Sequence, residues 1–189
     1  IMQRKGVDAR SADRILEEWT RSKNLRKHAY AVEAAMRAYA ERFGQDPDRW
    51  GVVGLLHDFD YERFPEMETH PYKGAEFLRE KGFSEELIQA VLAHAEYTDV
   101  EHDTPLKKAI LAVDELTGLI VAVALVRPSK KLEDVSVESV MKKWDDARFA
   151  AGVDRGLIER GAEALGVPLE EHVQIVLDAM KGISDRLGL

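Results

Sequence analysis

A nearly uninterrupted apolar stretch over residues 109–126 is the feature that most constrains this chain. It contains Asp114 and Glu115, and an aspartate at the centre of a membrane-spanning helix costs about 2.5 to 3.5 kcal/mol. We therefore expect a buried core helix. A carboxylate buried without a partner is very costly, so Asp114 must be protonated, paired with a core Arg or Lys, or bound to a metal ion. We favour the metal ion, with Thr117 and Gly118 one turn further along and near the same site.

Helical spacing of apolar residues dominates the rest of the sequence, and no alternating run bounded by hairpin turns is present. The pattern predicts an all-α fold, a compact helical bundle. Ser22, Asp46, Ser84 and Thr104 stand where side-chain caps open helices, and residues 59–68 have no clean period and predict a loop. The expected helices span residues 9–19, 22–44, 46–58, 71–80, a segment from 84, 104–128, 136–144, 154–165 and 169–187.

Length and composition favour a single folded domain. A chain of 189 residues suits one hydrophobic core, because chains usually divide only beyond about 250 residues. With 45% hydrophobic and 33% charged residues, the chain can bury a core and still keep its surface solvated. We expect one domain over 1–189, with its core at about 22–126 and extra C-terminal helices at about 129–189.

Charge and cysteine content exclude several classes of function. The net charge of −8, from 35 acidic and 27 basic residues, argues against general nucleic-acid binding, which needs a basic face. No cysteine is present, so a transition metal must be held by imidazole and carboxylate. The first ten residues carry three basic side chains and no apolar run follows, unlike a signal peptide. We expect a cytoplasmic protein without membrane association and leave its oligomeric state open.

The histidines are concentrated in one part of the chain. Five of the six lie between positions 28 and 102, and the pair His57-Asp58 stands where a helix is predicted to end. Consecutive helical residues point about 100° apart, so both reach one ion only if the backbone turns there or the ion lies beyond the helix end. A single histidine is weak evidence. The order is more informative: His28 in a helix, then Leu-Leu-His-Asp, then a carboxylate inside a later apolar helix.

The segments KHAYAVE, GLLHDFDYE and AVDELTG resemble the HD superfamily of metal-dependent phosphohydrolases, whose defining ligands are a His, an adjacent His-Asp pair and a later Asp. The resemblance implies an HD-type helical bundle in which His28, His57, Asp58 and Asp114 bind metal. WGVVGLLHDFDYE, AVDELTGLIVAVALVRPSKK and KKWDDARFAAGVDR extend it to a branch of small, stand-alone predicted HD hydrolases without an assigned substrate.

Two further histidines bear on the number of metal ions. In HD proteins that hold two ions, additional histidines lie between the His-Asp pair and the final Asp, and His70 in THPYKGAEFL and His94 in VLAHAEYTD resemble them. The resemblance implies a dinuclear site if both point inward, with Asp58 bridging. One ion would then be held by His28, His57 and Asp114, and the other by His70 and His94.

The remaining histidines are predicted to lie outside the site. His102 and Asp103 form a second His-Asp pair, but they stand in a polar segment before a helix, where Asp and Thr serve as caps. We predict that this pair is at the surface. We also predict that His172, far from the others in sequence, is a helix-surface residue.

The chemistry implied by the resemblance is hydrolysis of a small phosphate ester or nucleotide by a metal-activated water, with one or two ions of Fe, Mn, Ni, Co or Zn. With a single ion, Asp58 or a neighbouring carboxylate would orient the water. Asp58, Glu62 and Lys73 are the predicted catalytic residues, and Glu62 and Asp60 could order water or support the ligands. A phosphate substrate also needs cations near the pocket mouth, for which Lys27, Lys73 and the cluster 127–131 are candidates.

Two other functions fit the same pattern. Some HD-fold proteins of this size use six such ligands in a diiron site that activates oxygen rather than water, and His28, His57, Asp58, His70, His94 and Asp114 would serve that purpose equally well. The third possibility is a sensor that binds a nucleotide without turnover. Degenerate members of such folds lose ligands, whereas this chain keeps all four core residues, which favours an enzyme.

Overall fold

The structure is a computed structural model that describes residues 9–189; the prediction about a signal peptide concerns largely residues outside this range. The described residues form helices and contain no β-strand, which confirms the all-α prediction. The α-helices are α1 (Ala9–Trp19), α2 (Lys23–Arg42), α3 (Pro47–Leu56), α4 (Tyr72–Glu80), α5 (Glu85–Leu92), α6 (Pro105–Val126), α7 (Val137–Met141), α8 (Arg155–Leu165), α9 (Leu169–Lys181) and α10 (Ser184–Leu187). Short 3₁₀ helices cover Glu96–Thr98 and Leu132–Asp134.

The predicted caps fix where the main helices begin. The side chains of Ser22, Asp46, Ser84 and Thr104 each accept a hydrogen bond from a backbone amide in the first turn of α2, α3, α5 and α6. These amides have no partner within the helix, so the caps satisfy them. The starts of these four helices are confirmed, and with them the positions of the segments that carry the histidines.

The C-terminal helices differ from their predicted extents. The helix expected over 169–187 is interrupted, because α9 ends at Lys181 and α10 begins only at Ser184. Gly182 caps α9, and glycine is about 1 kcal/mol less favourable than alanine inside a helix. The helix expected over 136–144 is also shorter, since the chain after Met141 continues in turns that bring the indole N–H of Trp144 to Glu159, 2.8 Å away.

Close backbone approaches hold the bundle together around α2 and α6. A Cβ at Gly54 in α3 would lie 2.8 Å from the Cα of Glu33 in α2, and a Cβ at Gly161 in α8 would lie 2.6 Å from the Cα of Ala112 in α6. Only glycine permits such contacts. They bring α3 against α2 and α8 against α6, and α9 packs across both α2 and α6.

The apolar stretch forms α6, as expected. By length and composition this helix would also be able to cross a membrane, but 56% of its most apolar window is buried inside the fold. It contacts α2, α5, α8 and α9, and its buried side chains join the main hydrophobic core. We therefore assign α6 as a core helix, and it places Asp114 among the other predicted ligands.

Candidate metal centre

Six side chains meet at one site, two from within helices and four from helix ends or the adjoining loops. His28 comes from α2, and Asp114 comes from α6. His57 is the cap residue at the end of α3, where the backbone leaves the helix, so that it and Asp58 both face the site. His70 precedes α4, and His94 follows α5. The structure brings together all six side chains that the sequence predicted as metal ligands.

Three of these residues form what we call the first trio: His28, His57 and Asp114. Nε2 of His28 lies 2.9 Å from Oδ1 of Asp114 and 3.1 Å from Nε2 of His57, and the distance from His57 Nε2 to the same carboxylate oxygen is 3.3 Å. His57 is fully buried, while His28 and Asp114 are partly exposed. Two imidazole nitrogens and one carboxylate oxygen therefore converge on one point.

Asp58, His70 and His94 form the second trio. Oδ1 of Asp58 lies 3.2 Å from Nε2 of His70 and 3.0 Å from Nε2 of His94, and these two nitrogens are 3.2 Å apart. The other oxygen of Asp58, Oδ2, faces the first trio at 3.5 Å from His57 Nε2 and 3.8 Å from His28 Nε2. The Asp58 carboxylate thus stands between the two trios.

The far side of each buried imidazole is held by a hydrogen bond. Nδ1 of His57 lies 2.6 Å from the carbonyl oxygen of Gly54, and Nδ1 of His94 lies 2.6 Å from that of Val91. A carbonyl only accepts, so each Nδ1 carries the proton and donates it, which leaves Nε2 as a ligand atom directed into the site. Such a partner on the second nitrogen is typical of metal-bound histidine. This donor set therefore fits divalent transition-metal ions.

The carboxylates give the site a strong preference for positive charge. Burial lowers the pKa of His57, but Asp58 and Asp114 outweigh it and raise this pKa to about 9. The pKa of His70 is also lowered by burial, yet hydrogen bonds to Asp58 and Asp60 raise it to about 9. Burial raises the pKa of Asp114, but the charge of His57 holds it well below its usual range. Divalent cations would satisfy the same carboxylates in place of protons.

The family model of the HD domain matches residues 25–119, a range that contains all six ligands. This chain belongs to the HD family. HD domains bind divalent metals, and the two trios are groups that could hold them. The match and the similar curated relatives support a metal-dependent hydrolase of the HD type.

Curated proteins similar to this chain include ribonucleases Y. Ribonuclease Y of Oleidesulfovibrio alaskensis is 26% identical over 84% of this chain and 28% of the relative. Ribonuclease Y 2 of Levilactobacillus brevis is 32% identical over 76% of this chain and 25% of the relative, and the enzyme of Thermosipho melanesiensis is 32% identical over 82% and 29%. The chain thus spans less than a third of these relatives. The comparison with solved structures found no significant match.

The two trios of this HD domain open into a cavity of about 670 Å³. All of the predicted ligands except His57 line its wall. The carboxylates of Glu96 and Glu115 add negative charge to this wall. Of residues 9–189, none that lines this cavity is a lysine or an arginine. The lysines and arginines that the sequence suggested for the pocket mouth therefore do not line this cavity.

The candidate cations point elsewhere. Lys73 is half exposed, and its Nζ lies 3.1 Å from Glu76 Oε2. Arg127 donates to the backbone carbonyl of Asp134 at 2.9 Å. Lys27 lines a second, neighbouring cavity. Long charged side chains usually keep their charged ends in water or pair with a nearby carboxylate. The position of these residues in the sequence did not reveal such partners.

Glu62 is also directed away from the ligands. Its carboxylate accepts the backbone N–H of Arg21 at 2.6 Å and that of Ser22 at 2.9 Å, so it joins the loop after α3 to the start of α2. Neither Glu62 nor Lys73, both predicted as catalytic, lines the cavity. Asp60 does support the site, because its Oδ1 lies 2.7 Å from Nδ1 of His70.

The prediction for His172 is wrong. This side chain is fully buried between α2 and α6: its Nε2–H donates to the carbonyl of Ala112 at 2.8 Å, and its Nδ1 accepts from the hydroxyl of Tyr39. His102 is partly buried, and its Nε2 donates to the Ala93 carbonyl at 2.7 Å, whereas Asp103 is exposed as predicted. Contacts with distant segments of the chain bury His172.

Two tyrosines at the site were missed by sequence reasoning. Tyr97 donates its hydroxyl proton to the backbone carbonyl of His70 at 2.7 Å, and Tyr61 packs edge-on against the His70 ring at 5.4 Å between centroids. Both line the cavity. Tyr61 stands only three residues after the His-Asp pair, which was the one available signal, while nothing in the sequence links Tyr97 to His70.

Proposed function

We propose that this chain is a dinuclear metal-dependent phosphohydrolase that acts on a small phosphate ester. The observation that carries the proposal is the position of Asp58, whose two carboxylate oxygens face different trios. A carboxylate in that position can ligate two ions at once. No side chain is then needed as a nucleophile, because a metal-activated water can take that role.

The metal pair would supply an activated water and would stabilise the charge that develops on the phosphate oxygens. The protein's own residues provide the rest. The hydrogen bonds of His57 to Gly54 and of His94 to Val91 keep their Nε2 atoms directed inward. Both rings are buried, His57 completely and His94 except where it lines the cavity. Asp58, like His28 and Asp114, is partly exposed to the cavity, so a substrate bound there would lie beside these three side chains.

The ligand chemistry narrows the choice of metal. Four imidazoles and two carboxylates suit Fe, Mn, Co, Ni or Zn, whereas Mg and Ca prefer sites built from oxygen ligands. We expect Mn or Fe to support activity, because both accept the mixed nitrogen and oxygen sphere that the two trios offer.

The electrostatics of the cavity favour a small substrate. Its wall contains carboxylates and, among the described residues, no lysine or arginine, and the net charge of the chain is −8. A long polyanion would be repelled, since nucleic-acid binding draws its affinity from basic side chains on phosphates. The relatives are named ribonucleases, but the chain spans less than a third of them. We infer that small phosphate esters or nucleotides are better substrates here than RNA.

A location in the cytoplasm belongs to the same proposal. A chain without cysteine has no disulfide to protect it outside the cell, and small phosphorylated metabolites are cytoplasmic compounds. We further propose that the chain associates with neither membranes nor nucleic acids.

The test combines metal analysis with a panel of phosphate esters, on protein purified without a chelating column. Asp58→Ala removes the group between the trios, and Asp103→Ala, in the exposed second His-Asp pair, is the matched control. We expect Asp58→Ala to lose metal and at least about a hundredfold in kcat/KM, as loss of a metal ligand should, with Asp103→Ala unchanged. Equal metal content and activity in both variants would refute the proposal, and a preference for RNA would refute its substrate class.

A further inference from the structure

A second cavity of about 360 Å³ lies beside the two trios. It shares His28 and Gly118 with the first cavity, so the two are adjoining spaces at the same end of the bundle. Five apolar side chains contribute to its other walls, from α2, α6, α10 and the residues after α10: Ala31, Val121, Leu125, Leu187 and Leu189. Asn24 and Lys27, both exposed, stand at its polar side.

Gly118 occupies the boundary between the two cavities in the interior of α6. Glycine weakens a helix relative to alanine, so a glycine there needs a reason. At Gly54 and Gly161 that reason is packing, because a Cβ would overlap a neighbouring helix. At Gly118 a Cβ would meet no atom within 4 Å. The fold itself has room for a side chain at this position, and the space that such a side chain would enter belongs to the two cavities.

We propose that the second cavity binds the apolar, non-phosphate part of the substrate, and that the missing side chain at Gly118 leaves the passage open between this group and the two trios. This inference rests on the proposed phosphohydrolase function and narrows its substrate class to phosphate esters of an apolar alcohol. The walls support this class rather than a second phosphate or a bare sugar, because most of the exposed wall area is apolar and Lys27 is its one lysine or arginine among the described residues.

The experiment uses three probes and metal-loaded protein, with binding measured by calorimetry. Methylphosphonate occupies the phosphate position alone, hexylphosphonate occupies both positions, and 1-hexanol occupies only the second cavity. Phosphonates contain a carbon–phosphorus bond that is not hydrolysed, so the result does not depend on turnover. We expect hexylphosphonate to bind more tightly than methylphosphonate by about tenfold to a thousandfold, as burial of five further methylenes implies.

Gly118→Leu places a side chain in the passage, and Gly152→Leu is the matched control at an exposed position that lines neither cavity and has no neighbour within 4 Å. In Gly118→Leu we expect the advantage of hexylphosphonate over methylphosphonate, with both affinities measured on that variant, to fall to less than about threefold. Metal content and melting temperature, measured on each variant, verify that the trios and the fold are intact.

The outcomes separate this inference from the proposed function. If methylphosphonate binds but the hexyl chain adds nothing, or if Gly118→Leu keeps the full gain, the second cavity is not the subsite. If 1-hexanol binds in a Gly118-dependent manner and methylphosphonate does not bind, the cavity takes apolar groups and the phosphohydrolase proposal is wrong. If no probe binds, both are overturned.

Discussion

Asp60 and His70 form a buried hydrogen bond in which Oδ1 of Asp60 lies 2.7 Å from Nδ1 of His70. The other carboxylate oxygen accepts the backbone N–H of Gly74 at 2.8 Å, so the carboxylate is fixed from both sides. With Nδ1 occupied, His70 presents Nε2 to Asp58 at 3.2 Å. A residue outside the ligand set thus sets the orientation of one ligand of the second trio.

The first prediction concerns this contact. Asp60→Asn retains the shape of the side chain but removes the charge that orients His70, and we expect about a tenfold to hundredfold loss of affinity for one metal ion of two. Competition titration with a coloured chelator measures it. Asp103→Asn, at an exposed aspartate, is the control. Unchanged affinity in Asp60→Asn would show that the hydrogen bond does not support the metal site.

The second prediction concerns the close approach of α2 and α3. In Gly54→Ala, the new methyl group would lie 2.8 to 2.9 Å from backbone atoms of Val32 and Glu33, which cannot move without shifting the helix. We expect a loss of about 1 to 3 kcal/mol in the free energy of unfolding, measured by urea denaturation. Gly118→Ala, where the methyl group meets no atom, should instead gain up to about 1 kcal/mol. Equal effects in the two variants would contradict the packing argument.

The third prediction is a pH dependence of stability at His172. Burial lowers the pKa of this imidazole to about 4, against about 6.5 in an unfolded chain. Between these two pH values His172 is protonated in the unfolded chain but neutral in the folded protein. The stabilisation of the fold by the neutral imidazole is therefore complete above about pH 6.5 and is lost as the pH falls toward 4. The loss amounts to about 3 kcal/mol.

His172→Gln removes this titration. The free energy of unfolding, measured by urea denaturation between pH 4 and 7, should therefore fall less steeply with decreasing pH in the variant than in the wild type. Parallel curves for the two proteins would show that His172 does not titrate in this way.

The fourth prediction separates hydrolysis from oxygen activation, for which the same six ligands would suffice. Protein stripped of metal by a chelator should lose its activity on phosphate esters, and Mn²⁺ should restore it equally well in air and under anaerobic conditions. The reason is that hydrolysis of a phosphate ester changes no oxidation state and needs no oxygen. Product release followed together with an oxygen electrode measures this, and oxygen uptake in proportion to turnover would assign the chain to the oxygenases instead.

Local sequence signals predicted most of the fold. The caps at Ser22, Asp46, Ser84 and Thr104 act on the first turn of the helix that follows each of them, so they are visible without tertiary structure. The six predicted ligands also lie together in the structure. They could be predicted because their order along the chain resembles a family pattern. Their partition into two trios was implied by that resemblance and by no local feature.

The errors at His172 and Glu62 concern contacts between distant parts of the chain. His172 was predicted to lie at the surface, but it is buried by Tyr39, which is 133 positions away in the sequence. Glu62 follows the His-Asp pair closely, yet it binds backbone amides at residues 21 and 22 instead of facing the ligands. Lys73 pairs with a carboxylate on its own helix. Proximity in sequence places a side chain near a site, but the direction in which it points depends on partners that a local pattern does not contain.

The most direct test of the account is the number and position of the metal ions. An anomalous difference map from crystals grown with Mn²⁺ should contain two peaks about 3.5 to 4 Å apart, one within each trio, with Asp58 contacting both. A single peak, or two peaks of which neither lies next to Asp58, would contradict the proposal that this carboxylate joins a dinuclear centre.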